Sequence, residues 1–134
     1  MITLKTKEEI KTIAEGGKIL AEVLDEISKM VKPGVTTQDL NRAAEALILN
    51  YGAEPSFKNY NGFPSALCAS VNEVIVHGIP SDRVLKGGDI ISLDLGVLYK
   101  GFNSDMAVTV PVGKIAPEAD RLIRVVKNSL ERAL

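Results

Sequence analysis

Residues 89–112 read DIISLDLGVLYKGFNSDMAVTVPV, and this stretch decides the fold. Two runs rich in alternating and β-branched residues, 89–99 and 102–112, flank Lys100-Gly101, which has the composition of a two-residue hairpin turn. Side chains alternate across a strand, so Asp94 shares a face with Ser92 and Gly96, while Ile91, Leu93, Leu95 and Val97 form an apolar face suited to a core. A two-residue turn pairs Tyr99 with Phe102 and Gly96 with Asp105. That register makes Asp94 and Asp105 diagonal neighbours on one face, about 7–8 Å apart at the backbone. It also gives Met106, Val108 and Val110 to the apolar face. A bulge in the turn would shift the parity and separate the carboxylates.

Aspartate fits a pleated, half-buried surface poorly, and two like charges this close push one another toward protonation unless a cation compensates. A divalent metal with hard oxygen ligands resolves both problems. The competing reading is a hairpin whose polar face is simply solvated.

Upstream, 7–31 reads as an amphipathic helix. Thr6 and Glu9 have capping-box spacing, and Ile10, Ile13, Gly17, Leu20, Leu24, Ile27 and Val31 make one stripe. Pro33-Gly34 ends it. A second helix starts at Thr36 or Thr37 and stops at Gly52. The stretch EPSFKNYNGFPS is loop-like, and short strands follow at 66–71 and 74–76. A last helix runs from about Pro117 to the end on the register Ala119, Leu122, Val125, Val126, Leu130 and Ala133. Two helices, an antiparallel β-meander and a closing helix predict an α+β fold.

Composition narrows the function. The 134 residues are 46% hydrophobic and 25% charged, enough for one domain with a core. Sixteen Lys+Arg against seventeen Asp+Glu give a formal charge of -1, so no basic field exists for nucleic acid or an anionic membrane. No apolar run approaches a membrane span, and no signal peptide is expected, since Met1 leads straight into Lys5, Lys7, Glu8 and Glu9. The single cysteine, Cys68, excludes an intramolecular disulfide and a multi-thiolate zinc site. A cytoplasmic location is expected.

Four more residues carry potential chemistry. His77, the only histidine, lies in VNEVIVHGIP at an expected strand end, where it could contact a reacting amide or serve as a hydrogen-bonded structural residue. Cys68 in an apolar strand reads as a small buried hydrophobe or a nucleophile. Tyr60 and Phe63 either line a pocket or cap the core. No phosphate-binding glycine loop is present.

With NYNGFPSALCASVNEVIVHGIP followed by GDIISLDLGVLYKGFNSDMAVTVPVG, the chain resembles the methionine aminopeptidases, in their short bacterial-type form without an N-terminal extension. The resemblance covers essentially all of residues 1–134, read as a single domain. It implies the pita-bread fold, two pseudo-symmetric α+β halves around a metal site, of which this chain is the first. It implies two divalent metal ions (Co, Mn, Fe or Zn), with Asp94 and Asp105 as ligands and Asp105 bridging. His77 falls on the catalytic-pocket histidine that contacts substrate near the scissile amide. Tyr60, Phe63 and Cys68 fall on positions lining the methionine pocket. The implied activity is removal of the N-terminal methionine from nascent polypeptides.

The departure is large. The family's site also takes a histidine and two glutamates from its second half, and none of the chain's glutamates matches them. The expectation is a fragment of a full enzyme, inactive alone, that exposes apolar surface and self-associates. The alternatives are another pita-bread peptidase, such as a proline dipeptidase or aminopeptidase P, and a half-fold that binds a peptide or protein without chemistry.

Overall fold

A computed structural model describes residues 4–134. Helix α1 spans Lys7–Met30 and opens with the expected capping box. The Thr6 amide donates to Glu9 Oε2 (2.7 Å) and the Glu9 amide to Thr6 Oγ1 (3.2 Å), satisfying two amides that have no partner within the helix. Helix α2 spans Thr37–Asn50 and repeats the device with Thr36 and Asp39. After α2 come a short strand β1 (Glu54–Pro55), a single 3-10 turn (Tyr60–Gly62) and strand β2 (Leu67–Val71). The hairpin follows as β3 (Ile90–Tyr99) and β4 (Phe102–Pro111), then helix α3 (Pro117–Ala133).

The sheet is antiparallel throughout. Strand β3 is its spine, with β1 and β2 along one edge and β4 along the other. Lys100 and Gly101 both have positive φ, 48° and 83°, the twist a two-residue hairpin needs. The register is the one the turn dictates: Tyr99 opposite Phe102 and Gly96 opposite Asp105. Ile91, Leu93, Leu95 and Val97 are fully buried against α1 and α2, joined by Leu20, Val23, Ile27, Leu40 and Ile48. Each such Leu or Ile contributes about 1.5–3 kcal/mol by leaving water.

Three local expectations are corrected. The buried stripe of α1 keeps Leu20, Leu24 and Ile27 from the expected set and adds Gly16 and Val23, while Ile10 is 55% exposed. Gly16 packs closely, since a Cβ there would lie 3.2 Å from Ser104 Oγ and 3.3 Å from the Tyr99 side chain. Residues 74–76 are not a strand: Ile75 and Val76 are exposed and the chain turns after Asn72, whose φ is 54°. Met106 and Val108 lie on the apolar face, as the register requires, but stay 39% and 38% exposed.

Candidate metal and substrate site

The opposite face of the sheet is polar and runs as a row. Cys68 pairs with Asp94 and Ser70 with Ser92 across β2 and β3, while Ser92 and Thr109 share a hydroxyl hydrogen bond of 2.8 Å across β3 and β4. Asp94 lies opposite Ala107, two residues along from the Gly96–Asp105 pair, so both carboxylates emerge on this face as diagonal neighbours.

Gly96 lets the site close. It is buried, and a side chain there would collide with the Ser56 hydroxyl and the Phe57 ring. The Ser56 amide donates to the Gly96 carbonyl (3.0 Å), which pins the following loop against β3. The loop then folds over the polar face through Asn59 and Asn61, both at positive φ, and the Asn59 amide donates to the Phe63 carbonyl (2.8 Å). Asparagine tolerates this left-handed geometry better than most residues.

His77 arrives from the other side. It sits in an irregular segment rather than at a strand end, with φ 57°. The segment is docked on β2 at Gly78, whose carbonyl accepts from the Ala69 amide (2.8 Å).

All six residues expected from the sequence, Tyr60, Phe63, Cys68, His77, Asp94 and Asp105, line one cavity of about 580 Å³. Phe57 and Ile79 also line it and were missed. Phe57 lies in a Pro/Gly-rich loop without periodicity, and Ile79 reads as a generic apolar residue before a proline. No sequence signal singled out either.

The electrostatics are those of an uncompensated anionic pair. Asp94 Oδ1 is buried without a hydrogen-bond partner. Burial first, and then the charge of Asp105, hold the Asp94 carboxyl above its ordinary range, against a smaller opposing pull from His77. Burial, with added repulsion from Asp94 and Asp105, pushes the Cys68 thiol up to about 11, so it stays protonated at neutral pH and is a poor nucleophile. A buried carboxylate oxygen lacking a donor beside a second carboxylate suits a divalent cation. Two carboxylates alone leave such an ion underligated, and no group of three or more His, Cys, Asp or Glu gathers among the described residues.

The chain is similar to proteins of known activity. It is 47% identical over its whole length to methionine aminopeptidase 1 of Bacillus subtilis, covering 54% of that protein. It is 50% identical over 96% of its length to the methionine aminopeptidase of Clostridium acetobutylicum, covering 52%. The chain thus spans about half the length of the curated relatives it matches. Among solved structures, methionine aminopeptidase from Thermotoga maritima superposes with a TM-score of 0.96 at 40% identity, over 99% of this chain and 54% of the other. Prolidase from Pyrococcus furiosus superposes at 0.85 with 26% identity, over 97% of this chain and 37% of the other. The fold is the α+β pita-bread fold of these enzymes. With residues 11–134 matching Metallopeptidase family M24, the chain belongs to that family.

Proposed function

We propose that residues 1–134 form the first half of a methionine aminopeptidase catalytic domain, which removes the N-terminal methionine of nascent polypeptides. The observation that carries this is the buried, unpartnered Oδ1 of Asp94 beside Asp105, in a cavity that also holds His77 and two aromatic rings. The relatives' names supply the substrate class.

In this reading Asp94 and Asp105 hold divalent metal, two ions in the complete site, drawn from Co, Mn, Fe or Zn. Such ions supply a water of lowered pKa and polarise the scissile carbonyl. His77 donates a hydrogen bond to the substrate amide and steadies charge that develops there. Phe63, Cys68 and Tyr60, together with Phe57 and Ile79, receive the unbranched methionine side chain and exclude water from it. We assign the remaining ligands to the second half of the longer relatives. The protein works in the cytoplasm on emerging chains, with no nucleic acid or membrane partner, and this half alone self-associates.

The test is cleavage of a Met-Ala-Ser peptide with Mn²⁺ or Co²⁺. The expected result is turnover by a natural chain that includes a second half, loss of it in Asp105→Asn, and none by residues 1–134 alone. Turnover by the 134 residues that vanishes in Asp105→Asn would overturn the need for second-half ligands. Cleavage of Xaa-Pro dipeptides in place of Met-Ala-Ser would move the assignment to a prolidase. No hydrolysis by the longer chain would leave a peptide-binding module.

A further inference from the structure

His77 is held in a conformation that a histidine does not choose unaided. Its φ of 57° lies in the left-handed region, and the segment before it, with Ile75 86% and Val76 60% exposed, offers little packing to fix it. What fixes it lies on the far side, at Gly78. There the backbone comes so close to β2 that a Cβ would stand 2.5 Å from the Ala69 carbonyl oxygen and 2.9 Å from Ser70 Cα. Two hydrogen bonds secure that approach. One is the backbone bond from the Ala69 amide; the other runs from the Gly78 amide to the hydroxyl of Ser70 (3.0 Å).

Ser70 is 4% exposed and projects from the same face of β2 as Cys68, along the row that carries Asp94. A buried hydroxyl on a strand otherwise made of Leu, Cys, Ala and Val needs a reason. Alanine would fit the space, but it would leave the Gly78 amide without an acceptor and the residue before it free to relax.

We propose that Ser70 is a positioning residue: its hydroxyl clamps the Gly78 amide and thereby fixes His77 at the cavity beside the two carboxylates. The proposal deepens the reading of His77 given above and rests on it. Ser70 itself does not line the cavity.

The test uses the isotopically labelled 134-residue chain, with its one histidine as reporter. Hydrogen exchange at Gly78 in the unmodified chain is expected to be at least about tenfold slower than at exposed Ile75. Ser70→Ala speeds it about fivefold, the equilibrium worth of one neutral hydrogen bond, and Ser70→Thr, which keeps the hydroxyl, returns it to within about twofold. Added Mn²⁺ broadens the His77 imidazole signal, and Asp105→Asn abolishes that broadening. In Ser70→Ala the broadening falls about threefold as His77 leaves its fixed position, and it recovers in Ser70→Thr.

A serine that merely stabilised the fold would leave the Mn²⁺ effect on His77 unchanged, and that result overturns the proposal. If Mn²⁺ does not broaden His77 in the unmodified chain while Gly78 exchange still responds to Ser70→Ala, the two carboxylates do not hold Mn²⁺ without second-half ligands and the clamp stands on the exchange result. Should Ser70→Ala not fold, the unmodified chain decides: Gly78 exchanging as fast as Ile75 overturns the clamp, and protection supports it.

Discussion

The Ser56 hydroxyl and the ring of Phe57 occupy the space that a side chain at Gly96 would fill, a Cβ on Gly96 falling 2.1 Å from Ser56 Oγ and 2.8 Å from Phe57 Cε1. Gly96 is the residue opposite Asp105, so one small residue lets the sheet carry a carboxylate and lets an aromatic loop close over it. Gly96→Ala is therefore expected to push the 56–57 segment off β3. The cost is that of overpacking, about 1–3 kcal/mol, read as a lower urea midpoint. Hydrogen exchange at the Ser56 amide, which donates to the Gly96 carbonyl, should speed up in parallel. A variant with unchanged stability and exchange would show that the loop is seated by other contacts.

Asp94 pays in stability for the chemistry it offers. Its buried Oδ1 has no donor, and its carboxyl is held above the ordinary range by burial and by Asp105. A carboxyl raised in the folded state contributes stability below its unfolded pKa and loses it as pH rises through the folded value. At neutral pH the ionised form is thus a net cost. Asp94→Asn removes the buried charge and its repulsion with Asp105, and is expected to stabilise the metal-free chain by about 1 kcal/mol. The same change should remove any gain in Tm on adding Mn²⁺. Thermal unfolding with EDTA and with Mn²⁺ checks both halves, and a less stable metal-free variant would contradict the argument.

How much of this was legible beforehand depended on whether local rules governed the residues. The Asp94–Asp105 relationship followed from strand parity and a two-residue turn, because Lys100-Gly101 admits little else. The caps of α1 and α2 were written in Thr6/Glu9 and Thr36/Asp39. The segment around His77 was not legible as a strand end or anything else. Val74, Ile75 and Val76 have strand composition, but their place is set by the docking of Gly78 on Ala69 and Ser70, a contact between distant backbone atoms. The stripe of α1 was legible at Leu20, Leu24 and Ile27, which are buried, but not at its first turn, where Ile10 stays exposed, nor at Gly16, whose lack of a side chain lets the helix lie close on Tyr99 and Ser104. Phe57 entered the cavity through the smallness of Gly96, which no local pattern announces.

The cap of α2 gives a prediction about acid. Asp39 accepts from the Thr36 hydroxyl (2.6 Å) and amide (3.1 Å) and pairs with Arg42 (2.7 Å). The Thr36 hydroxyl, then Arg42 and the Thr36 amide, lower its carboxyl from 3.8 to about 2. A depressed folded pKa means the contribution is present above the unfolded value and is lost as pH falls through the folded one. Asp39→Asn should lower the urea midpoint near neutral pH. The gap between variant and parent should narrow between 3.8 and about 2 and close below that. A gap that persists at the acid end would mean the carboxylate charge is not what caps the helix.

Helix α3 presents an apolar stripe to water. None of its 17 residues is buried, although Leu122, Val125, Val126 and Leu130 recur at helical spacing and are 51–61% exposed. An apolar stripe of this length left in water is unfavourable by about 25 cal/mol for each Å² that could be covered, and it drives association with any similar surface. The 134-residue chain is therefore expected to elute and sediment as more than a monomer, with the fraction rising with concentration. Replacing Val125 and Leu130 by lysine should return it to a monomer. Both positions already face solvent, so the double variant keeps the core and should unfold at a similar urea concentration. A parent chain that remains monomeric at high concentration would show that α3 is tolerated bare, and the covering surface would then have to be sought elsewhere, beginning with the exposed edge of β4 at Met106 and Val108.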